Sequence, residues 1–277
     1  MARTIEVELP RNTFFTGDVV EGTVVVETTK DVNSRGIYLD FLARERTQIT
    51  RSAGKTTVTY TSHNDFAVWR MNLQGATSIP PGTYRFPFKF QIPPAGLPSY
   101  VGRCAWVTYT LEARLDVPLW IDTVWKGELY VFYERSSVRT FSQPVRFQSG
   151  DTGPQGPQVY VELDGDRFFA RELIGCRITL LRLGEHRIRH MYARLTGGEF
   201  AQAQSTTETS TTYKTEVDLP MENVQVGVPF TFEIPIPAEV QSAYRGMYSY
   251  YNYLLTIGLD ISWASDLAAT TPIVIVR

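Results

Sequence analysis

Strict alternation of apolar and polar positions organises this chain. Phe86, Phe88, Phe90 and Ile92 fall on one side of a run whose other side is Pro87, Lys89 and Gln91. A period of two, carried by aromatic and β-branched residues, predicts a half-buried strand. Pro93, Pro94 and Pro98 then stop it, because proline offers no N–H to a neighbouring strand. Alternation resumes at Ala105, with Val107, Tyr109, Leu111, Ala113 and Leu115 inward and Thr108, Thr110, Glu112 and Arg114 outward. The same succession returns late in the chain. Phe230, Phe232, Ile234 and Pro235 repeat Phe88, Phe90, Ile92 and Pro93, and Tyr253, Leu255, Ile257 and Leu259 repeat Tyr109, Leu111, Ala113 and Leu115. Ser99, Tyr100 and Gly102 are echoed by Ser242, Tyr244 and Gly246. The chain is an internal duplication, and these repeated aromatic and aliphatic positions are its expected cores.

Shorter patterns fill the intervals. Thr4 to Leu9 reads as a first strand, and Phe14 to Val26 as a Thr-Gly-Asp turn feeding a strand, answered by Phe168 to Leu180. Gly36 to Ala43 is a further strand, with Ile37, Leu39 and Phe41 on one face. Gln48 to Asp65 is polar and Thr-rich around a Gly-Lys pair, which predicts a long hairpin with its tip near Ser52 to Lys55. Ser205 to Asp218 is its counterpart in the second half. No segment shows a sustained helical period, although Pro237 to Ser242 has room for one turn. The densest Gly/Pro stretch, Ser149 to Gln158, divides the chain into an N-terminal domain (1–148), a linker (149–158) and a C-terminal domain (159–277). Each half yields roughly seven or eight short strands, so the expected fold is all-β: two tandem antiparallel β-sandwiches of immunoglobulin-like type.

Composition changes this picture little. Aromatic residues make up 13% of the 277 positions, with 15 Tyr and 15 Phe, as strands favour. A net charge of −2 gives no general attraction to nucleic acid. The start, MARTIEVELP, lacks a basic stretch followed by an apolar run, so no secretory signal is expected, and no apolar stretch reaches bilayer-spanning length. Cys104 and Cys176 fall in different repeats and are expected to remain thiols in a reducing, cytoplasmic setting.

No convergent set of catalytic groups emerges. His186 and His190 stand four apart beside Glu185 but have no signalled third ligand, so no metal is expected. Serines lack a Gly-x-Ser-x-Gly elbow with a histidine and an acid. Asp164 and Asp166 read as a hairpin turn, since the later positions of a calcium loop are missing. No cofactor is expected. Trp106, Trp120 and Trp125 raise a different class of function, a carbohydrate-binding or surface-layer two-sandwich protein; two coplanar exposed indoles would favour it.

The ordered set Gly17, Asp18, Val19, Val20, Gly22; Pro81, Gly82, Tyr84; Phe88, Phe90, Ile92, Pro93; Leu97, Pro98, Ser99; and Tyr109, Leu111, Leu115, Asp116, Pro118 resembles the arrestin family, in its α-arrestin-like and prokaryotic arrestin-like branches. The resemblance implies the arrestin fold and a non-enzymatic adaptor or scaffold that binds protein partners through loops and sheet edges. It also implies that the hairpin at Gln48 to Asp65 occupies the place of the family's finger loop. Arg51, Lys55, Thr57 and Tyr60 are the candidate protein-binding residues there, and the positive tip suits an acidic or phosphorylated segment. Where receptor-binding arrestins carry paired lysines after the first strand, this chain has Pro10, Arg11 and Asn12. The run Pro80, Pro81, Gly82, Thr83, Tyr84 is one residue too long for the Pro-Pro-x-Tyr motif by which α-arrestins recruit ubiquitin ligases.

Overall fold

The structure, a computed structural model, describes residues 3–140, 142–150, 156–184, 186–221, 224–262 and 266–277. Packing divides the chain into two units. The first comprises Met1–Glu134 together with Gln202–Thr206 and Gly246–Ser249, and the second takes the rest. Of the expected linker, residues 151–155 lie outside the described residues.

The first unit holds eleven strands: β1 (Arg3–Glu8), β2 (Thr13–Phe15), β3 (Val19–Thr28), β4 (Val32–Ser34), β5 (Gly36–Ala53), β6 (Thr56–Gln74), β7 (Thr77–Ile79), β8 (Gly82–Gln91), β9 (Tyr100–Val101), β10 (Ala105–Asp116) and β11 (Thr123–Phe132). One sheet runs β1-β3-β8 and the other β2-β11-β10-β5-β6, with β9 added to β10 and a small β4-β7 pair. All pairs are antiparallel except β2, which runs parallel to β11. The alternation read from Ala105 onward is the reason β10 sits centrally. Val107, Tyr109, Leu111, Ala113 and Leu115 are all buried, facing Ile37, Leu39, Phe41 and Ala43 of β5.

The second unit opens with a short helix, α1 (Arg135–Thr140), followed by β12 (Val145–Gly150), β13 (Gln158–Leu163), β14 (Arg167–Phe169), β15 (Leu173–Arg182), β16 (Ile188–Ala203), β17 (Thr206–Asp218), β18 (Phe230–Pro235), β19 (Tyr244–Arg245), β20 (Ser249–Ile261) and β21 (Leu267–Val276). Its sheets run β12-β13-β15-β18 and β14-β21-β20-β16-β17, with β19 added to β20. The order repeats that of the first unit, except that β12 adds a strand at the edge of the smaller sheet and, among the described residues, nothing corresponds to the β4-β7 pair.

The duplication extends to single hydrogen bonds. The buried Tyr109 hydroxyl donates to the carbonyl of Leu97, and the Tyr253 hydroxyl donates to that of Gln241 at 2.8 Å. Burial pushes both phenols well above the ordinary tyrosine range. Ser99 Oγ accepts from Val131 N, and Ser242 Oγ from Arg277 N. Asp18 caps the turn at Phe15 N, as Glu172 caps the one at Phe169 N. Both carboxylates also meet an arginine, Arg11 and Arg139 respectively.

Four expectations need adjustment. Phe88, Tyr109, Leu111, Tyr253 and Leu255 are buried, but Phe90, Phe230 and Phe232 are only half-buried. Strands β8 and β18 lie at the ends of their sheets, where a ring is covered from one side; Phe90 packs on Trp69 and Phe41, with centroids 4.5 and 5.0 Å away. Helix α1 stands where no helical period was read, because six residues are too few to display one. The Asp164–Asp166 turn joins β13 to β14, which belong to different sheets, so it is a crossing between sheets and not a hairpin. The hairpin expected at Gln48 to Asp65 is the outer part of a longer one, since β5 and β6 pair from Ile37↔Gln74 to Ala53↔Thr56.

Candidate functional site

Alternation in Gly36–Ala53 keeps β5 in the core through Ile49 and then releases it. Ile49 is buried opposite the half-buried Tyr60, and beyond that pair the described side chains of the hairpin are exposed. Thr50 and Thr59 face each other with hydroxyl oxygens 3.2 Å apart, a cross-strand pair that ties the emerging ribbon together. The turn is Gly54-Lys55. Gly54 has φ +65°, a left-handed conformation that glycine adopts without penalty, and a Cβ there would meet nothing within 4 Å.

The base is held more firmly. A bulge between Ala43 and Arg44 leaves Phe66 without a partner on β5 and turns the outer ribbon relative to the sheet below. Just above it the Arg44 guanidinium meets Asp65 through two bonds, Nε–Oδ1 at 2.5 Å and Nη2–Oδ2 at 2.8 Å, which hold the Asp65 carboxyl below the usual carboxylate range. Glu45, next in line, is 0% exposed. Its Oε2 accepts from Met247 N at 2.8 Å, and its Oε1 accepts from Tyr248 N at 2.9 Å and Ser249 Oγ at 2.7 Å. These three donors satisfy both oxygens of a side chain that has no access to water. Thr47 donates to the carbonyl of Gln202 at 2.6 Å, and Ser62 Oγ accepts from Gln204 N at 2.8 Å. Residues 202–206 and 246–249 thus belong to the first unit because they clamp the root of its hairpin.

The four residues singled out from the sequence all lie on this ribbon, but not on one face. Register pairs Ile49 with Tyr60, Arg51 with Val58 and Ser52 with Thr57. Arg51 and Tyr60 therefore share the face that continues from the core, Thr57 points to the opposite face, and Lys55 sits in the turn. From Arg46 to Asn64 the chain carries no Asp or Glu, so Arg46, Arg51 and Lys55 give the outer ribbon a positive field. Glu45 was not among the expected residues, and neither was the clamp it anchors.

Other candidate chemistry is accounted for by packing. His190 contacts Asp218 Oδ1 at 2.8 Å and stacks on Tyr192, while His186 precedes β16 and Glu185 lies outside the described residues. Cys104 and Cys176 are buried thiols, and burial pushes that of Cys176 up to about 12. Among the described residues, no group of three or more His, Cys, Asp or Glu is placed to hold a metal ion. No helix among them is long and apolar enough to cross a membrane. Trp120 is exposed, but Trp106 and Trp125 are half-buried, and the Trp125 ring lies over Gly127, where a Cβ would collide with it. The exposed indole pair that a sugar platform requires is not formed by these residues.

A duplicated two-sandwich frame with a clamped hairpin in its first half defines an all-β scaffold. Residues 3–134 match the family described as arrestin (or S-antigen), N-terminal domain. The first half of the chain is thus similar to an arrestin N-terminal domain. It is similar to arrestin domain-containing protein 4 of Mus musculus, 28% identical over 131 residues, which are 43% of this chain and 32% of that relative. It is also similar to arrestin domain-containing protein 17 of Caenorhabditis elegans, 24% identical over 129 residues, 42% of this chain and 30% of that one. The match thus spans about a third of the length of each curated relative.

Proposed function

We propose that this protein is a non-enzymatic, cytoplasmic adaptor that captures a protein partner with the outer part of the β5–β6 hairpin. The observation that carries the reading is the acid-free ribbon itself, lifted past the core on a base fixed by Glu45, Thr47 and the Arg44–Asp65 pair. The match of residues 3–134 to the arrestin N-terminal domain family supports an adaptor role. Arg51 and Lys55 supply the charge that steers an acidic or phosphorylated segment, and Thr57 and Tyr60 supply hydrogen bonds and an aromatic edge on either face. Binding of this kind weakens as salt screens the exposed charges.

The test replaces Arg51 and Lys55 with serine and repeats an affinity capture from the native cell, beside titrations of acidic, phosphorylated and neutral peptides. Loss of two exposed charges lowers affinity for the acidic or phosphorylated peptide by roughly five- to tenfold at low salt, and the gap closes at high salt. Recovery of the same partners at the same yield, from a variant that melts like the parent, removes this hairpin as the site.

A further inference from the structure

The loop between β10 and β11 breaks the rule that the rest of the surface follows. Leu119, Trp120 and Ile121 are 102%, 76% and 89% exposed, three consecutive large apolar side chains. The other exposed large apolar residues, such as Val68 and Met247, are not gathered in such a run among the described residues. The loop is held in this presentation. Val117 is buried and its N–H donates to Asp122 Oδ1 at 3.2 Å, Trp120 N reaches Val117 O at 3.4 Å, and Arg3 Nη2 donates to the carbonyl of Ile121 at 2.6 Å. Leu119 adopts φ +64°, a left-handed conformation that is an outlier for a bulky residue and persists only where its surroundings impose it. Backbone bonds and strain are thus spent on turning the apolar side chains outward.

The rim is cationic at its outer surface. Arg3 also donates to Thr123 Oγ1 at 2.8 Å, Arg35 pairs with Asp116 at 2.7 Å, and Arg114 pairs with Glu112 at 2.6 Å and with Asp122 at 3.7 Å. In each ion pair the cation is the more exposed member: 62% against 24% for Arg35 and Asp116, and 37% against 24% and 28% for Arg114 and its two acids. The acids are thus the more covered members of these pairs, and the Arg35 side chain is the most exposed of them all.

We propose that the 117–122 loop is a wedge that enters the interfacial layer of a phospholipid bilayer, with Arg3, Arg35 and Arg114 meeting lipid phosphates around it. A convex tip of three apolar side chains would need a matching cleft on a protein, whereas a fluid bilayer accepts it without one. Tryptophan, apolar in body and polar at its N–H, is the residue that settles at such an interface, and arginine reaches the phosphate level beside it. Because the loop is already ordered, insertion loses little conformational entropy. The acids paired with these arginines make anionic lipid helpful but not required.

The experiment is co-sedimentation of the full chain with phosphatidylcholine vesicles, with and without a phosphatidylglycerol fraction. The parent sediments with both. Replacing Leu119, Trp120 and Ile121 together with serine lowers the partition coefficient on the order of a hundredfold. Arg35→Gln lowers it by about fivefold on the anionic vesicles and less on the neutral ones. Trp120→Phe still sediments but loses the emission blue shift and the quenching by brominated lipid that the parent shows, which places the indole in the bilayer and guards against a misfolded triple variant. A parent chain that stays in the supernatant at every lipid concentration, or a triple variant that sediments like the parent, overturns the proposal. So does Trp120 emission that responds to soluble oligosaccharides and not to vesicles, which would assign the loop to a carbohydrate.

Discussion

The two long hairpins, β5–β6 and β16–β17, occupy corresponding places in the two repeats and end differently. The first turns through Gly54-Lys55 with open space around Gly54, and the sequence from residue 46 to 64 contains no Asp or Glu. The second turns through Gln204-Ser205, and its turn, Gln202–Thr206, belongs to the first unit, where it bonds to Thr47 and Ser62. Duplication supplied the same ribbon twice. One copy became part of a clamp and the other the clamped and projecting element. A binding role is therefore assigned to one hairpin only, and the assignment rests on what covers each turn, since the strands themselves are alike.

The largest effect that separates the two copies is expected at the clamp. Glu45→Ala leaves the N–H groups of Met247 and Tyr248 and the Ser249 hydroxyl without their buried acceptor, and opens a void beneath Gly246. Loss of about 3–5 kcal/mol in urea unfolding is expected, with Glu45→Gln costing less because one oxygen remains. Lys55→Ala, on the uncovered tip of the same hairpin, should stay within about 0.5 kcal/mol of the parent. Equal losses at the two positions would show that the clamp does not hold the hairpin's root.

That clamp also marks the limit of what the sequence displays. Period-two alternation made the strands legible, because the side chains that alternate are those the two sheets bury between them. The duplication was legible for the same reason. The hairpin and its tip could be read from Gly54 and the threonines around it. Glu45 could not, because in the run Arg44, Glu45, Arg46 an acid reads as part of a solvated face. Its burial depends on donors more than 200 residues later, at a sequence separation of 202 for Met247. Phe90 read as core on period alone, but period reports which face of a strand is apolar and not how far the partner sheet extends over it. The Leu119-Trp120-Ile121 run was visible as letters; its exposure follows from the bonds that Arg3 and Asp122 make to the loop, and those are tertiary.

The buried phenols test how far the duplication remains symmetrical in energy. Tyr109→Phe and Tyr253→Phe each remove one hydroxyl bond to a carbonyl, worth about 1 kcal/mol at neutral pH. Both phenols have folded pKa values raised above the ordinary 10 by burial. The unfolded chain therefore releases these protons first, and the stability they contribute is full below pH 10 and declines as pH rises through the folded values. Each tyrosine adds a slope of about 1.4 kcal/mol per pH unit in that window. The Cys176 thiol, raised by burial from 9 to about 12, adds the same slope from pH 9 upward. Urea unfolding across this range should flatten by one such increment for each Tyr→Phe change, in either repeat. A flattening in one repeat alone would show that the two tyrosine anchors have diverged.

The smallest expected effect lies in the turns. Gly54 has φ +65° and Gln204 has φ +55°, so both positions are left-handed, but only one is occupied by glycine. Gly54→Ala meets no steric neighbour, so its cost is the backbone term alone, about 1 kcal/mol, and it falls on a tip that opens locally. Amide exchange at residues 50–59 should quicken by about fivefold while the midpoint of global unfolding barely moves. Gln204→Gly acts in the other direction. It relieves the same backbone term, keeps the bond from residue 204 N to Ser62 Oγ, and loses part of the gain to the wider freedom of the unfolded chain. The net result is a stabilisation of up to about 0.5 kcal/mol, read as a higher melting temperature because this turn belongs to the first unit. Destabilisation by Gln204→Gly would mean that the glutamine side chain itself secures the clamp, and the contrast between the two hairpins would then rest on that side chain as well as on the packing of its turn.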